Sequence, residues 1–238
     1  SIRNGYNTYM NTKHKKPTLT KKQRHKLRVQ QVRRQKIFLT CLFLLIVGCI
    51  LLRFSKFSGR QKETHQLNAA CEAYRDEVSS EAAQYDMSDY VDLILAVMMQ
   101  ESSGQGTDPM QSSEGAYNTR YPQQPNGITD PSYSISCGIQ ELKYALEKAV
   151  CTGPTDLSKI RLALQAYNFG ADSYFAYLEE NGQTVWTTQS AQAFAQMASG
   201  NTQRDEDDPL HDPAGPWDYG DQYYPDHVLR YYHLDNNS

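Results

Sequence analysis

The chain has 238 residues, and about the last 170 of them are enough for one compact globular domain of ordinary size. Its net charge of −3 hides an asymmetry, because residues 1–36 hold 12 Lys and Arg and no acid, whereas residues 53–238 hold 12 basic residues and all 27 acids. The five cysteines show no CxxC or Cys/His ligand spacing, which argues against a zinc site.

An uncharged apolar run of 16 residues, 37–52, separates the basic arm from the acidic part. A helix of that length rises about 24 Å, slightly less than a hydrocarbon core, and Lys36 and Arg53 can extend their stems toward the interfaces. The run therefore predicts one transmembrane anchor over 37–54. Because basic residues stay on the cytoplasmic side, we expect the arm (1–36) in the cytoplasm and the acidic domain outside, facing the cell wall.

Other interpretations of this segment remain open. Residues 46–49 (IVGC) resemble a lipoprotein signal, which would place a lipid on Cys49, although the apolar run continues to Leu52 and so favours a plain anchor. A basic arm can also bind nucleic acid, but its attachment to an anchor favours contact with anionic lipid instead. We therefore expect a membrane partner and no nucleic acid.

The outer part begins with a polar stalk over 55–68 and then shows helical patterning, with neither a strand pattern nor a repeat. Ala and Glu over 69–84 favour a first helix, and Asp86 is predicted to cap a second. Further helices are predicted over 135–150, 157–169, 172–180, 189–198 and 225–232, and long loops over 103–133 and 201–222. The sequence predicts an all-α domain over 69–234, preceded by a single transmembrane helix and followed at 235–238 by the start of a linker or a truncated end.

Glu101 is the first candidate for a catalytic residue. It lies seven residues after Ile94 and four after Val97, and so extends the apolar stripe at the end of the second helix. Burial and the negative end of the helix dipole both disfavour a carboxylate, so we expect a raised pKa. A carboxyl group that stays protonated near neutral pH can act as a general acid. This pattern alone also fits a solvated glutamate at a fraying helix end.

Four motifs are similar, in this order, to those of bacterial goose-type lysozymes and soluble lytic transglycosylases. Residues 100–104 (QESSG) resemble the Glu-Ser motif, and 130–142 resemble the helix start after the Gly-Leu-Met-Gln segment. Residues 166–170 (AYNFG) resemble the Ala-Tyr-Asn-x-Gly motif, and 224–231 resemble the closing helix. The stretch 108–114 (DPMQSSE), with the arm and anchor, resembles the CwlT-like two-domain cell-wall hydrolases of Gram-positive conjugative transposons.

The resemblance implies a lysozyme-like fold and an N-acetylmuramidase, which cuts the β-1,4 bond between N-acetylmuramic acid and N-acetylglucosamine in peptidoglycan. Glu101 would protonate the glycosidic oxygen. The implied substrate-binding residues are Ser102, Gln111, Tyr167, Asn168 and Tyr224. Gln111 is the best counterpart of the family's glutamine, with Gln140 as the second choice. Such relatives usually continue into a papain-like peptidase domain, so we expect a fragment or a natural truncation.

Hydrolysis needs a second carboxylate that activates water, whereas attack by the muramic acid 6-hydroxyl gives an anhydro product without one. The candidates for a second carboxylate are Asp108, Glu114 and Asp130, each of which is also explained as an ordinary loop acid. The relatives favour hydrolysis. No metal and no cofactor are expected.

Two other functions fit the same motifs. One is a lytic transglycosylase, and the other is a non-catalytic wall-binding module of a secretion apparatus. The expected partners are the glycan strands of peptidoglycan and the membrane, and the resemblance adds conjugative type IV secretion components. Outside the membrane one disulfide could form among three cysteines, and Cys71 would have to be one partner. About 21 Å of predicted helix separates Cys137 from Cys151.

Overall fold

The computed structural model of the protein describes residues 65–213 and 215–234. The predicted arm and anchor, and the stalk before residue 65, lie outside the described residues. The helices are α1 (Ala69–Glu72), α2 (Arg75–Gln84), α3 (Val91–Glu101), α4 (Pro131–Lys148), α5 (Leu157–Phe169), α6 (Ala171–Glu180), α7 (Thr188–Ala198) and α8 (Tyr224–Leu229).

The regular secondary structure of the described part is all helical, and its only strand-like pairing is an isolated bridge between Gln203 and Trp217. This confirms the all-α prediction for these residues. None of the helices found there is long and apolar enough to cross a bilayer.

Helix α3 forms one centre of the core. Six consecutive residues, 93–98, are fully buried, because this helix is apolar on every side and needs neighbours all round. Helices α1, α2 and α8 supply those neighbours. The C-terminal end of α3, which carries Glu101, is therefore held by the packing of the domain.

Helix α5 forms the second centre and packs against α4, α6 and α8. The Asp156 side chain caps its start by accepting from the Lys159 N–H at 3.3 Å. Gly170, at φ 86°, ends α5 and begins α6 without a break. Because α8 contacts both α3 and α5, it joins the two centres and brings their C-terminal ends to one place.

Several local predictions were wrong. Asp86 adopts a left-handed conformation (φ 57°) and caps nothing; a 3-10 turn at Ser88–Tyr90 precedes α3 instead. The first predicted helix is interrupted between α1 and α2. Helix α4 begins four residues early, because the Asp130 side chain caps it and Pro131 fits the first turn. Cys71, Cys137 and Cys151 are free thiols, so no disulfide joins them.

The loop over 102–130 is ordered by buried polar groups. Asn118 is 2% exposed and donates from Nδ2 to the Ser113 carbonyl at 2.7 Å. The loop reaches the core through Met110, which packs on α4 where Gly138 has no side chain; a Cβ there would lie 2.7 Å from Met110 Cβ. Glycine at this position lets the loop lie directly on the helix.

Candidate active site

The Glu101 carboxyl lies at the last residue of α3, where Tyr224 of α8 donates a short hydrogen bond to Oε1. Tyr224 is 2% exposed, whereas Glu101 keeps a partly exposed surface. The acid is therefore surrounded by protein but still within reach of a ligand.

Burial raises the pKa of Glu101 to about 7. The hydrogen bond from Tyr224 opposes this shift by stabilising the anion, and the negative charges of Asp221 and Asp108 add to it. Removal from water has the largest effect and outweighs the hydrogen bond. The group therefore keeps its proton up to about neutral pH, where a solvated glutamate is ionised, and can act there as a general acid.

Tyr167, near the end of α5, completes this arrangement. Its ring stacks on Tyr224 with centroids 6.3 Å apart and planes at 22°, and its hydroxyl donates to the Met110 carbonyl at 3.1 Å. Burial and the charge of Glu101 raise the pKa of Tyr167 well above its usual value, so it stays a neutral donor. Glu101, Tyr167 and Tyr224, which lie far apart in sequence, thus meet in space.

Asp108 is buried at 1% exposure and acts as a hydrogen-bond acceptor for the loop. Its Oδ1 accepts from the Ser112 N–H at 3.0 Å and from the Ser134 hydroxyl at 2.6 Å. Its Oδ2 accepts from the N–H and the hydroxyl of Ser113. Both oxygens are fully occupied, so this carboxylate orders the loop rather than presenting a free oxygen to water.

The other two predicted acids lie apart from this group. Asp130 uses its carboxylate to cap α4, accepting from the Ser132 N–H at 3.2 Å. Glu114 is exposed on the loop. Among the described residues, no hydrogen bond joins either acid to the Glu101, Tyr167 and Tyr224 group.

The remaining predicted binding residues make mainly local contacts. The Ser102 hydroxyl donates to the Pro109 carbonyl at 2.8 Å and so closes the turn after Glu101. Gln111 is exposed, with φ 49°, and its Nε2 donates to Asn126 Oδ1 at 3.1 Å. Asn168 Oδ1 accepts from the Asp221 N–H at 2.7 Å, which ties the loop before α8 to the end of α5.

Glu141, on α4, is an acid that the sequence analysis missed. Its Oε1 is buried without a hydrogen-bond partner, and it lies so close to Gly115 that a Cβ there would come within 1.5 Å. Burial raises its pKa to about 7; backbone N–H groups of Ala116 and Tyr117 partly oppose this, and the charges of Asp108 and Glu101 add to it. Its mid-helix position is shared with many solvated glutamates, so the sequence carried no signal.

The sequence analysis also missed Asp221, which lies just before α8. It is 5% exposed, contacts His227 Nδ1, and accepts from the Tyr223 N–H at 2.9 Å. Its negative charge raises the pKa of Glu101. In the sequence it is hidden among many acids of one loop. Over the described residues, no group of three His, Cys, Asp or Glu side chains could hold a metal ion.

The family profile described as Lysozyme-like matches residues 69–232. Among curated proteins, the chain is 34% identical over 169 residues to the bifunctional muramidase/DL-endopeptidase CwlT of Bacillus subtilis, covering 71% of this chain and 44% of CwlT. It is 40% identical over 115 residues to the uncharacterized membrane protein YocA of the same organism, covering 47% and 45%. A pneumococcal vaccine antigen A homolog of Streptococcus pyogenes is 37% identical over 110 residues, covering 46% and 50%.

A solved structure from Staphylococcus aureus, described as similar to a lipoprotein of the NLP/P60 family, superposes with a TM-score of 0.60 at 27% identity. The match covers 73% of this chain and 56% of that one. The chain spans about half the length of these relatives. The match over 69–232 coincides with the described helices and includes Glu101, Tyr167 and Tyr224. The chain therefore belongs to the lysozyme-like family and carries a lysozyme domain similar to that of CwlT-like cell-wall hydrolases.

Proposed function

We propose that the chain is a peptidoglycan hydrolase of the N-acetylmuramidase type. Glu101 protonates the oxygen of the β-1,4 bond between N-acetylmuramic acid and N-acetylglucosamine, and the sugar ring then develops positive charge as the bond breaks. Tyr224 holds the carboxyl group in place, and Tyr167, which stacks on Tyr224 and is partly exposed, offers its ring to the sugar.

The observation that carries this proposal is the environment of Glu101. Its pKa of about 7 results from burial, and a protonated carboxyl group at neutral pH is what departure of the sugar oxygen requires. The relative CwlT, whose name includes a muramidase activity, supports the same reaction.

The substitution Glu101→Gln tests the proposal, because it keeps the shape of the side chain but cannot donate the proton. We expect digestion of purified cell walls to fall by about 10²–10⁴-fold while the helical circular dichroism signal is unchanged. Glu180→Gln is the matched control, since this exposed acid lies at the end of α6 and is not a candidate for either catalytic carboxylate. Unchanged digestion by the Glu101 variant would mean that another group supplies the proton, and no digestion by either chain would leave only a wall-binding role.

A lytic transglycosylase on the same bond is the second proposal, and one observation favours it. Asp108 is fully hydrogen-bonded and Asp130 caps α4, so neither offers a free oxygen to activate water. Internal attack by the muramic acid 6-hydroxyl needs no such group. Mass spectrometry of the digest separates the two reactions, because hydrolysis gives reducing ends and transglycosylation gives anhydromuramic ends.

We also propose a cellular setting. Residues 37–54 anchor the chain in the cell membrane with residues 1–36 in the cytoplasm, and the lysozyme domain opens the wall locally for conjugative transfer. The apolar run and its basic flank support the anchor, as does the description of one relative as a membrane protein. Membrane fractionation of the full chain, against a variant with charged residues placed within 37–52, tests the anchor. Conjugation frequency with Glu101→Gln tests the setting.

A further inference from the structure

A groove of about 600 Å³ lies between the end of α2, residues 116–120 of the loop and the first half of α4. Three tyrosine side chains, Tyr85, Tyr117 and Tyr133, line it, and all three are partly exposed. We call this feature the tyrosine groove. None of the residues that line it belongs to the Glu101, Tyr167 and Tyr224 group.

Two of the three tyrosine rings, those of Tyr85 and Tyr133, are held by hydrogen bonds before any ligand arrives. The hydroxyls of Tyr85 and Ser136 are hydrogen-bonded at 2.8 Å. The Tyr133 hydroxyl accepts from the Thr119 N–H at 3.0 Å and donates to the Tyr117 carbonyl at 3.2 Å. Rings that are already held lose little conformational entropy on binding. The groove is therefore preorganised to pack against a ligand.

Three charged side chains line the tyrosine groove, and one of them, Asp130, caps α4. The Arg120 guanidinium lies 4.5 Å above the centre of the Tyr133 ring, and Glu81 lies on α2. No ion pair within the described part of the chain uses either residue. Among the described residues, Gln84 Nε2 alone donates a hydrogen bond to the Glu81 carboxylate, at 2.7 Å. Each charge is free to pair with an opposite charge on a ligand.

We propose that the tyrosine groove binds a short peptide that carries free carboxylates and an amine. Arg120 pairs with a carboxylate, for which its planar guanidinium is suited, and Glu81 pairs with the amine. The glycan strands of peptidoglycan carry peptides of this chemistry, so the inference rests on the proposed function and extends it. The groove takes the peptide while Glu101 acts on the sugar bond.

The tyrosine groove is connected to the catalytic acid through the loop. Ala116 and Tyr117 line the groove, and their backbone N–H groups face the Glu141 carboxyl, whose pKa responds to the charge of Glu101. A ligand seated in the groove therefore contacts the same short segment that packs on Glu141.

Binding tests the inference directly. The probe is a synthetic tetrapeptide with two free carboxylates and one lysine amine, titrated into the full chain and followed by NMR. We expect Arg120→Gln to weaken binding about tenfold, because it removes a charge-assisted pair. The matched control is Arg161→Gln, an arginine above the Trp186 ring outside the groove, which should bind normally. Amidated carboxylates should weaken binding by the unmodified chain to a similar extent.

Two results would overturn the inference: no binding of the tetrapeptide to the unmodified chain, or equal binding by the Arg120 variant. Glu81→Gln serves as a second variant, which should weaken binding of the lysine peptide but not of its acetylated form. Loss of discrimination between these two peptides agrees with the assignment, and equal weakening of both contradicts it.

The outcome is separable from that of the proposed function. Peptide binding is also measured in Glu101→Gln, which should bind the tetrapeptide normally even when wall digestion is lost. Arg120→Gln should cut peptide-free glycan strands at the normal rate but digest peptide-bearing walls with a higher KM. A loss of cleavage on both substrates would indicate structural damage and would contradict the groove's role.

Discussion

The end of α3 and the loop that follows it each bury a carboxyl group, seven residues apart, and surround it in opposite ways. Asp108 receives two backbone and two hydroxyl hydrogen bonds, which tie the loop to itself and to α4. Glu101 receives one hydrogen bond from Tyr224, and its pKa rises to about 7. The two buried acids thus differ in the number of donors around them, four for Asp108 and one for Glu101.

The largest effect is expected at Asp108, and it tests the first half of this comparison. Asp108→Ala would leave buried N–H and hydroxyl groups without an acceptor, so we expect a loss of about 3–5 kcal/mol in the free energy of unfolding. Urea unfolding followed by circular dichroism measures it. The exposed Glu114→Ala should change the same quantity by less than about 0.5 kcal/mol. Equal effects of the two variants would show that Asp108 does not order the loop.

Glu141 extends the comparison to an acid whose Oε1 has no donor. Its folded pKa of about 7 exceeds the unfolded value, so its contribution to stability is greatest below the unfolded pKa and is lost as pH rises through 7. Glu141→Gln should therefore be more stable than the unmodified chain at pH 8, by about 1–2 kcal/mol, and nearly equal at pH 4.5.

Urea unfolding at the two pH values checks this prediction. Glu147→Gln, an exposed acid on the same helix, is the control and should show no such pH dependence. A variant that is destabilised more at pH 8 than at pH 4.5 would mean that the Glu141 carboxyl makes a favourable contact in its charged form.

Tyr224 donates the hydrogen bond to Glu101, and removing its hydroxyl tests what sets the pKa of this acid. The Tyr224 hydrogen bond stabilises the anion, so Tyr224→Phe should raise the pKa of Glu101 further, by up to about one unit. The alkaline limit of activity should move up with it. NMR titration of labelled glutamate measures the pKa without an activity assay. Tyr223→Phe is the control, since its hydroxyl bonds to Gln192 instead.

Asp221 should act in the opposite direction and more weakly. Its negative charge raises the pKa of Glu101, so Asp221→Asn should lower that pKa, by about half a unit. The amide oxygen can still accept from the Tyr223 N–H, which preserves the start of α8. Asp226→Asn, an exposed acid paired with Arg161, is the control. An upward shift in the Asp221 variant would mean that the change weakens the Tyr224 hydrogen bond to Glu101 by more than it removes repulsion.

The smallest expected effect is that of a chelator. If the reaction depends on carboxyl and hydroxyl groups alone, wall digestion in excess EDTA should equal digestion without it. Divalent cations are then added back, which separates an effect of EDTA on the cell wall from an effect on the protein. Digestion that EDTA abolishes and an added metal restores would contradict a reaction that depends on carboxyl and hydroxyl groups alone.

The sequence predicted those parts of the site that depend on helical spacing. Glu101 extends an apolar stripe, and α3 does end at this residue. Helix ends were predicted well where glycine marks them, as at Gly170, but Asp86 was misread because its left-handed conformation is not visible in residue type alone.

The environments of the acids could not be predicted, because they depend on contacts between distant segments. Tyr224 meets Glu101 from 123 positions away. Glu141 is buried only because the loop passes over it at Gly115. Asp108 is distinguished from its neighbours by donors on the loop and on α4. Residue type and spacing carry no record of such contacts.

Helix α8 has a consequence for the order of events during synthesis. Because Tyr224 follows Glu101 by 123 positions, a ribosome adding about 5–20 residues per second needs several seconds to produce it after the acid. Until then the carboxyl group of the nascent chain stays hydrated and ionised, with an ordinary glutamate's chemistry. The surroundings of Glu101 are therefore complete only after α8 has been synthesised and has packed against α3.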